Sequence, residues 1–245
     1  MVNPGDQLGS SVSALTNDYY IIAHNLANIN TAGYKRKVNS FTRELMKQVS
    51  DGPDGSVPEG EISINSVFDF SQGSFLKTGR SLDVAINGKG FFVVETPDGP
   101  LYTRSGMFQV NPQGQLVDLE GRMISGDGGP IVVPADVSVH QVDIGEDGSV
   151  SAGGSSLGRL KVVDFNEDEE KLFSVGKNCF SVPEVVVPAA AENALIKQGY
   201  QENSNVERME EVVGLITVSR LYETNMKLLA RRQENAKAII GVANS

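Results

Sequence analysis

A chain of 245 residues has room for one large domain or two smaller ones. Its 40% apolar and 21% charged residues are those of a folded protein, not a disordered one. The net charge of −10 argues against nucleic acid and against an anionic membrane surface, both of which need clustered Lys and Arg.

In chain order, Met1–Asp6 lacks the basic and apolar regions of a cleavable secretory signal, which taken alone points to the cytoplasm and leaves room for export by a dedicated apparatus that reads another signal. Apolar residues then recur at Leu8, Val12, Leu15, Tyr19, Ile22, Leu26 and Ile29, alternating steps of four and three. This heptad seam predicts a helix with coiled-coil-like packing. Asn28, Asn30 and Gly33 end it. Gly33 is expected in a left-handed conformation, where Val would fit badly and Asn better. Lys35-Arg36-Lys37 reads as a solvated loop or a protein contact, and residues 46–62 as a surface linker.

Short strands with turn signals follow. Asp83–Ile86 precedes an Asn87-Gly88 hairpin signal. Phe91–Glu95 and Leu101–Arg104 flank Pro97-Asp98-Gly99. Phe108–Val110 and Gln115–Asp118 flank Asn111–Gly114, Val137–Ile144 and Ser149–Ala152 flank Glu146-Asp147-Gly148, and Arg159–Phe165 is one more strand. Near the end, Ser204 and Glu207 have capping-box spacing. A second seam runs through Val212, Leu215, Tyr222, Met226, Leu229, Ala236 and Ile240, with polar Ser219 and Gln233 interrupting it.

The expected fold class is therefore α+β. The discontinuous N- and C-terminal helices pair as a coiled-coil-like unit, with an antiparallel β-rich domain between them. The helical domain is expected over 1–34 and 203–245, a linker segment over 35–64, the β-rich core over 65–190 and a return linker over 191–202. Neither helix can bury its stripe alone, so the seam residues are the candidate assembly interface.

A search for chemistry finds little. His24 reads as a packed or solvent-facing helical residue and His140 as a surface position on a strand. The lone Cys179 excludes an intramolecular disulfide and reads as a buried small hydrophobe. No nucleophile–base pair is indicated. Gly88-Lys89-Gly90 and Gly126–Gly129 lack phosphate-loop spacing. Glu167–Glu170, Asp143, Glu146 and Asp147 lack the ligand spacing of a calcium loop. No catalytic residue, cofactor, metal or small-molecule substrate is expected.

Three stretches together resemble the flagellar rod and hook family. They are Asn25–Arg36, with its Asn-Leu-Ala-Asn helix end and Thr-x-Gly turn; Ser81–Val94 with Tyr102–Phe108 and Asn111–Leu116; and Gln198–Tyr200 through Ser204–Val206 to Arg220–Glu223. In the first, Asn25, Asn28, Thr31, Gly33 and Tyr34 form the family-motif turn. The resemblance implies a structural subunit of the bacterial flagellar basal-body rod, a non-enzymatic protein. It would assemble with its own copies and with other rod and hook subunits into a hollow axial structure that transmits torque. It would be exported through the flagellar type III apparatus into the periplasm-spanning rod. The short segment after the turn leans toward a proximal-rod member. The alternative is a secreted adhesin-like β module with a coiled-coil stalk, which the absence of Trp disfavours.

Overall fold

The computed structural model describes residues 4–39, 66–191 and 193–243, and within them all side chains but those of 4–10, 233 and 236–243. Helix α1 spans Pro4–Ala27 and helix α2 spans Arg208–Ala243. Between them run β1 (Arg36–Asn39), β2 (Ser66–Asp69), β3 (Phe75–Lys77), β4 (Val84–Asn87), β5 (Phe91–Thr96), β6 (Gly99–Thr103), β7 (Gln109–Val110), β8 (Leu116–Val117), β9 (Met123–Gly126) and β10 (Gly129–Pro130). They are followed by β11 (Val142–Ile144), β12 (Ser149–Ala152), β13 (Ser155–Arg159), β14 (Val162–Asp164), β15 (Phe173–Gly176), β16 (Cys179–Ser181), β17 (Ala189–Ala190), β18 (Leu195–Gln198) and β19 (Tyr200–Glu202). The fold is α+β, with terminal helices flanking a β-rich part whose recorded pairings are antiparallel. The expected linker 46–62 lies outside the described residues.

The chain divides into two compact units. One holds α1, residues 37–67 and α2; the other holds residues 28–36 and 68–206. The second unit is organised by β5. Its Phe-Phe-Val-Val run is buried on both faces, as a central strand must be. Alternation sends Phe92 and Val94 into one core cluster with Val84, Ile86, Phe108 and Ile124. Phe91 and Val93 go to the other, with Phe68, Tyr102, Phe165 and Phe180. Edge-to-face ring pairs bind this second cluster, Phe68–Phe180 at 4.9 Å and Tyr102–Phe165 at 4.8 Å.

Turn chemistry explains the hairpins that form. β5 and β6 pair out to Thr96↔Gly99, across the Pro-Asp-Gly turn. β7 and β8 pair across Asn111–Gly114, where the Asn111 carboxamide oxygen accepts from the amides of Gln113 and Gln115.

Several expectations need correction. Asn87-Gly88 does not close a hairpin: β4 pairs with β18, and β5 with β6, β9 and β14. The turn's backbone is tied to other partners: the buried Arg104 guanidinium donates to the Gly88 carbonyl, and the Gln72 carboxamide accepts from the Gly88 amide and donates to the Ile86 carbonyl. Val137–Ile144 is half strand, since Val139–Gln141 forms a 3-10 turn. Arg159–Phe165 splits into β13 and β14 around buried Leu160. Residues 191–202, expected as a return linker, supply β18 and β19, which pair with β4 and β3. Residues 28–34, expected with the first helix, lie in the β-rich unit, and 36–39, expected as linker, form a strand paired with β2. Helix α2 begins at Arg208, so Ser204 does not cap it; its hydroxyl accepts instead from the Val206 amide.

Candidate assembly interface

Helices α1 and α2 pack along each other within their unit. They run antiparallel. The Asn25 carboxamide donates to a Glu211 carboxylate oxygen at 3.1 Å, Ile22 covers Gly214, and Leu15–Tyr20 share a groove of about 330 Å³ with Val218–Glu223. Gly214 lets the helices approach closely: a Cβ there would lie 3.3 Å from Ile22 Cδ1, so the Ile22 side chain would have to shift by a few tenths of an ångström.

The face α2 turns inward carries Glu211, Leu215, Val218, Asn225 and Leu229, with Gly214 and Ser219 beside it. Of the seam read from sequence, Leu215 and Leu229 are half-buried on this face, whereas Val212, Tyr222 and Met226 are exposed. On α1, Val12, Leu15, Ile22 and Leu26 are half-buried, as is Ile29 just past its end, and Tyr19 is exposed. Leu8 and Ile240 fall among the side chains not described. The inward face departs from the seam because two of its places, Glu211 and Asn25, are polar. Glu211 is 1% exposed and Asn25 also 1%; Asn25 further exchanges hydrogen bonds with the backbone of Lys37. An apolar count passes over such positions.

The same helices leave large apolar side chains uncovered. Met209 is 75% exposed and Val213 59%, followed by Ile216, Leu221 and Leu228; on α1, Tyr20 is 67% exposed. Met209, Val213 and Ile216 are spaced four and three, a ridge along one side of α2.

After α1 the chain makes a tight turn. The Thr31 amide and hydroxyl donate to the Asn28 carbonyl and carboxamide oxygens, and the Tyr34 amide to the Thr31 carbonyl. Gly33 has φ of 68°, as its position predicted, and its amide donates to the Glu202 carbonyl at 2.7 Å. A Cβ on Gly33 would lie 2.5 Å from Ser105 N and 2.6 Å from Arg104 C, so backbone passes against it. Tyr34 is buried.

Lys35 is not part of a solvated run. It is 1% exposed, and its ammonium meets Glu202 at 2.8 Å and the Ser71 carbonyl at 2.6 Å. Arg104 donates from Nε to the other Glu202 oxygen at 3.0 Å. Its terminal nitrogens donate to the Gly90 and Gly88 carbonyls, and the guanidinium sits over the Phe91 ring. Glu202 also accepts from the Gly73 amide at 3.0 Å. Burial pulls the Lys35 ammonium below its ordinary pKa; the neighbouring Glu202 carboxylate opposes this and Arg104 reinforces it. Nothing in one sequence marks these three residues as a cluster, since they lie 69 and 98 positions apart along the chain and meet only in the fold.

The remaining candidates sit apart from one another. His24 lies on the exposed side of α1, its pKa lowered by partial burial and by Lys37. His140 is exposed in the 3-10 turn, not on a strand. Cys179 is buried in β16, and burial pushes its thiol pKa up. Glu167–Glu170 lie in a 3-10 turn, Asn166–Lys171, where Asp168 pairs with Lys171. Among the described residues, no group of three or more His, Cys, Asp or Glu is placed to hold a metal ion. No helix among them is long and apolar enough to cross a membrane.

Residues 85–152 match the model of the flagellar hook protein FlgE/F/G D1 domain, and residues 197–242 that of the flagellar basal body rod FlgEFG protein C-terminal region. The chain is 34% identical over 227 residues to the flagellar basal-body rod protein FlgF of Caulobacter vibrioides, covering 90% of this chain and 89% of that one. It is 36% identical over 244 residues to FlgG of Agrobacterium fabrum, covering 89% and 91%. FlgF of Salmonella typhimurium is 30% identical, with 92% of each chain covered. The chain thus stands at much the same distance from relatives of either name.

Proposed function

Because this chain belongs to the flagellar basal-body rod protein family, we propose that it assembles through its terminal helices, with its own copies and with other rod and hook subunits, into a hollow helical structure that transmits torque. It is a structural protein and not an enzyme. Export through the flagellar type III route belongs to the same proposal. So do coiled-coil-type packing of α1 on α2 through the half-buried seam residues Val12, Leu15, Ile22, Leu26, Leu215 and Leu229, and a role in assembly for the exposed ones, Tyr19, Val212, Tyr222 and Met226. Family membership displaces the adhesin reading.

The observation that supports assembly through the helices is the ridge Met209, Val213 and Ile216, exposed on a helix already paired with α1. Side chains of this size are worth roughly 1.5–3 kcal/mol each when fully buried. A second copy that covers them recovers that energy. The ridge and the Tyr19–Tyr222 groove are different surfaces, and a heterologous contact between different surfaces propagates as a helical polymer when its rotation does not close into a ring. The test is Val213→Asp with Ile216→Asp. The free subunit should keep its helical signal and its melt, while rods lose the subunit and cells stop swimming. Normal swimming would remove the ridge from the interface.

A further inference from the structure

Stretches by which the chain enters and leaves its β-rich unit meet, inside that unit, at one buried ionic cluster. The chain passes at Ala27/Asn28, Arg36/Lys37, Val67/Phe68 and Val206/Glu207. Within the β-rich unit, Glu202 binds the stretch from α1 through Lys35 and the Gly33 amide. It binds the stretch after β2 through the Gly73 amide, and it belongs itself to the stretch that leads to α2. Asn205 adds to this. Its oxygen accepts from the Arg36 amide at 2.7 Å and its nitrogen donates to the Asp69 carbonyl at 2.8 Å. Arg104, from the end of β6, anchors the whole to the core beside Phe91.

The cluster holds two cations and one anion, all at most 3% exposed. Taking such charges out of water is costly, and well-packed apolar groups in their place are often as stable or more so. Stability alone is thus a weak reason for the cluster. Geometry is a stronger one. A carboxylate with three donors from three chain segments fixes their relative placement to within hydrogen-bond tolerance, which apolar packing does not.

We propose that Glu202, held between Lys35 and Arg104, is a positioning residue for assembly: it fixes side by side the stretch that follows α1 and the stretch that leads into α2. This rests on the assembly reading above, yet its first test does not require assembly. In the free wild-type subunit under rising denaturant, the Gly33 and Gly73 amides should exchange as slowly as those of β5, and more slowly than those of α1 and α2. Exchange of Gly33 and Gly73 before the helix amides would overturn the proposal, whatever becomes of the rod.

The second test separates position from stability. Glu202→Gln should lower both the melt and rod incorporation. Replacing the whole cluster, Lys35→Met with Arg104→Met and Glu202→Leu, should bring the melt back toward wild type but leave incorporation at least about tenfold down. Recovery of incorporation together with the melt would make the cluster merely structural and overturn the proposal. If the triple variant does not fold, the exchange order in the wild-type subunit decides alone. Failure of the wild-type chain to enter rods would instead strike the assembly reading and leave the exchange result standing.

Discussion

Gly33 shows how far one residue can be read from sequence. Its place after a helix end called for a left-handed backbone, and φ is 68°. That requirement alone makes Asn milder than Val. The structure adds a second requirement, since the Ser105 amide and the Arg104 carbonyl group occupy the space of a Cβ. This contact joins residues about seventy positions apart, so no local pattern could announce it. Ala, Asn and Val should therefore all fail, costing more than the roughly 1–2 kcal/mol of a left-handed L-residue. Melting of Gly33→Ala, Gly33→Asn and Gly33→Val decides the point. A near-native melt for Asn would mean that the Arg104–Ser105 backbone moves aside. Cys179 gives a second check at this scale. Its thiol pKa lies above the ordinary value of 9.0 because it is buried, with Arg122 opposing. The folded state keeps the proton that the unfolded chain loses, so this contribution is present below pH 9 and is lost as pH rises above it. Wild type should lose stability more steeply than Cys179→Ala above that pH, and the native thiol should react with a disulfide reagent only as fast as the protein unfolds. Equal slopes, or rapid native labelling, would contradict the burial.

At the scale of elements, the sequence displayed what repeats locally and hid what depends on partners. The helices, the Pro97–Gly99 turn and the Asn111–Gly114 turn follow from spacing and from turn residues. Asn87-Gly88 carried an equally strong local signal and does not form a hairpin, because Arg104 and Gln72 take its backbone groups and β18 takes the edge of β4. The α2 seam was legible as a helix but not as a face. Glu211 and Asn225 lie on the inward side, so counting apolar residues selected Val212 and Met226 in their place. The two faces make different predictions. Leu215→Asp places a charge between the helices and should reduce helicity in the free subunit as well as assembly. Leu26→Asp and Leu229→Asp, both at half-buried positions, should do likewise and leave the β-rich unit folded. Circular dichroism of the free variants separates these from the ridge variants, whose helicity stays. A Leu215→Asp subunit with wild-type helicity would place that residue outside the helix contact.

For the whole molecule, the division into a helical part and a β-rich part was legible, but its boundary was not, and the difference can be measured. Sequence reasoning placed the β-rich core at 65–190, because alternation and turn signals stop there. The compact unit instead takes in residues 28–36 and continues to 206. A fragment ending at 190 lacks β18, and with it Ile196, which is 2% exposed against β4. That loss alone is worth roughly 1.5–3 kcal/mol. The fragment also lacks Glu202 and so leaves Arg104 buried without its carboxylate, a break that costs about 3–5 kcal/mol in comparable buried pairs. Together these approach the roughly 5–15 kcal/mol by which a domain is stable at all. Fragment 65–190 should therefore be unfolded or aggregated. Fragment 28–206 keeps β18, β19 and the complete Lys35–Arg104–Glu202 cluster, and should melt cooperatively near the β-rich transition of the full chain. Adding residues 28–64 alone to 65–190 should not rescue it, because Lys35 would then bring a second buried cation to a site without an anion. Adding 191–206 alone should rescue it in part, since Glu202 would return to Arg104. Calorimetry of the four fragments gives the order. If 65–190 melts like 28–206, the last strands are ornament to a core that closes without them.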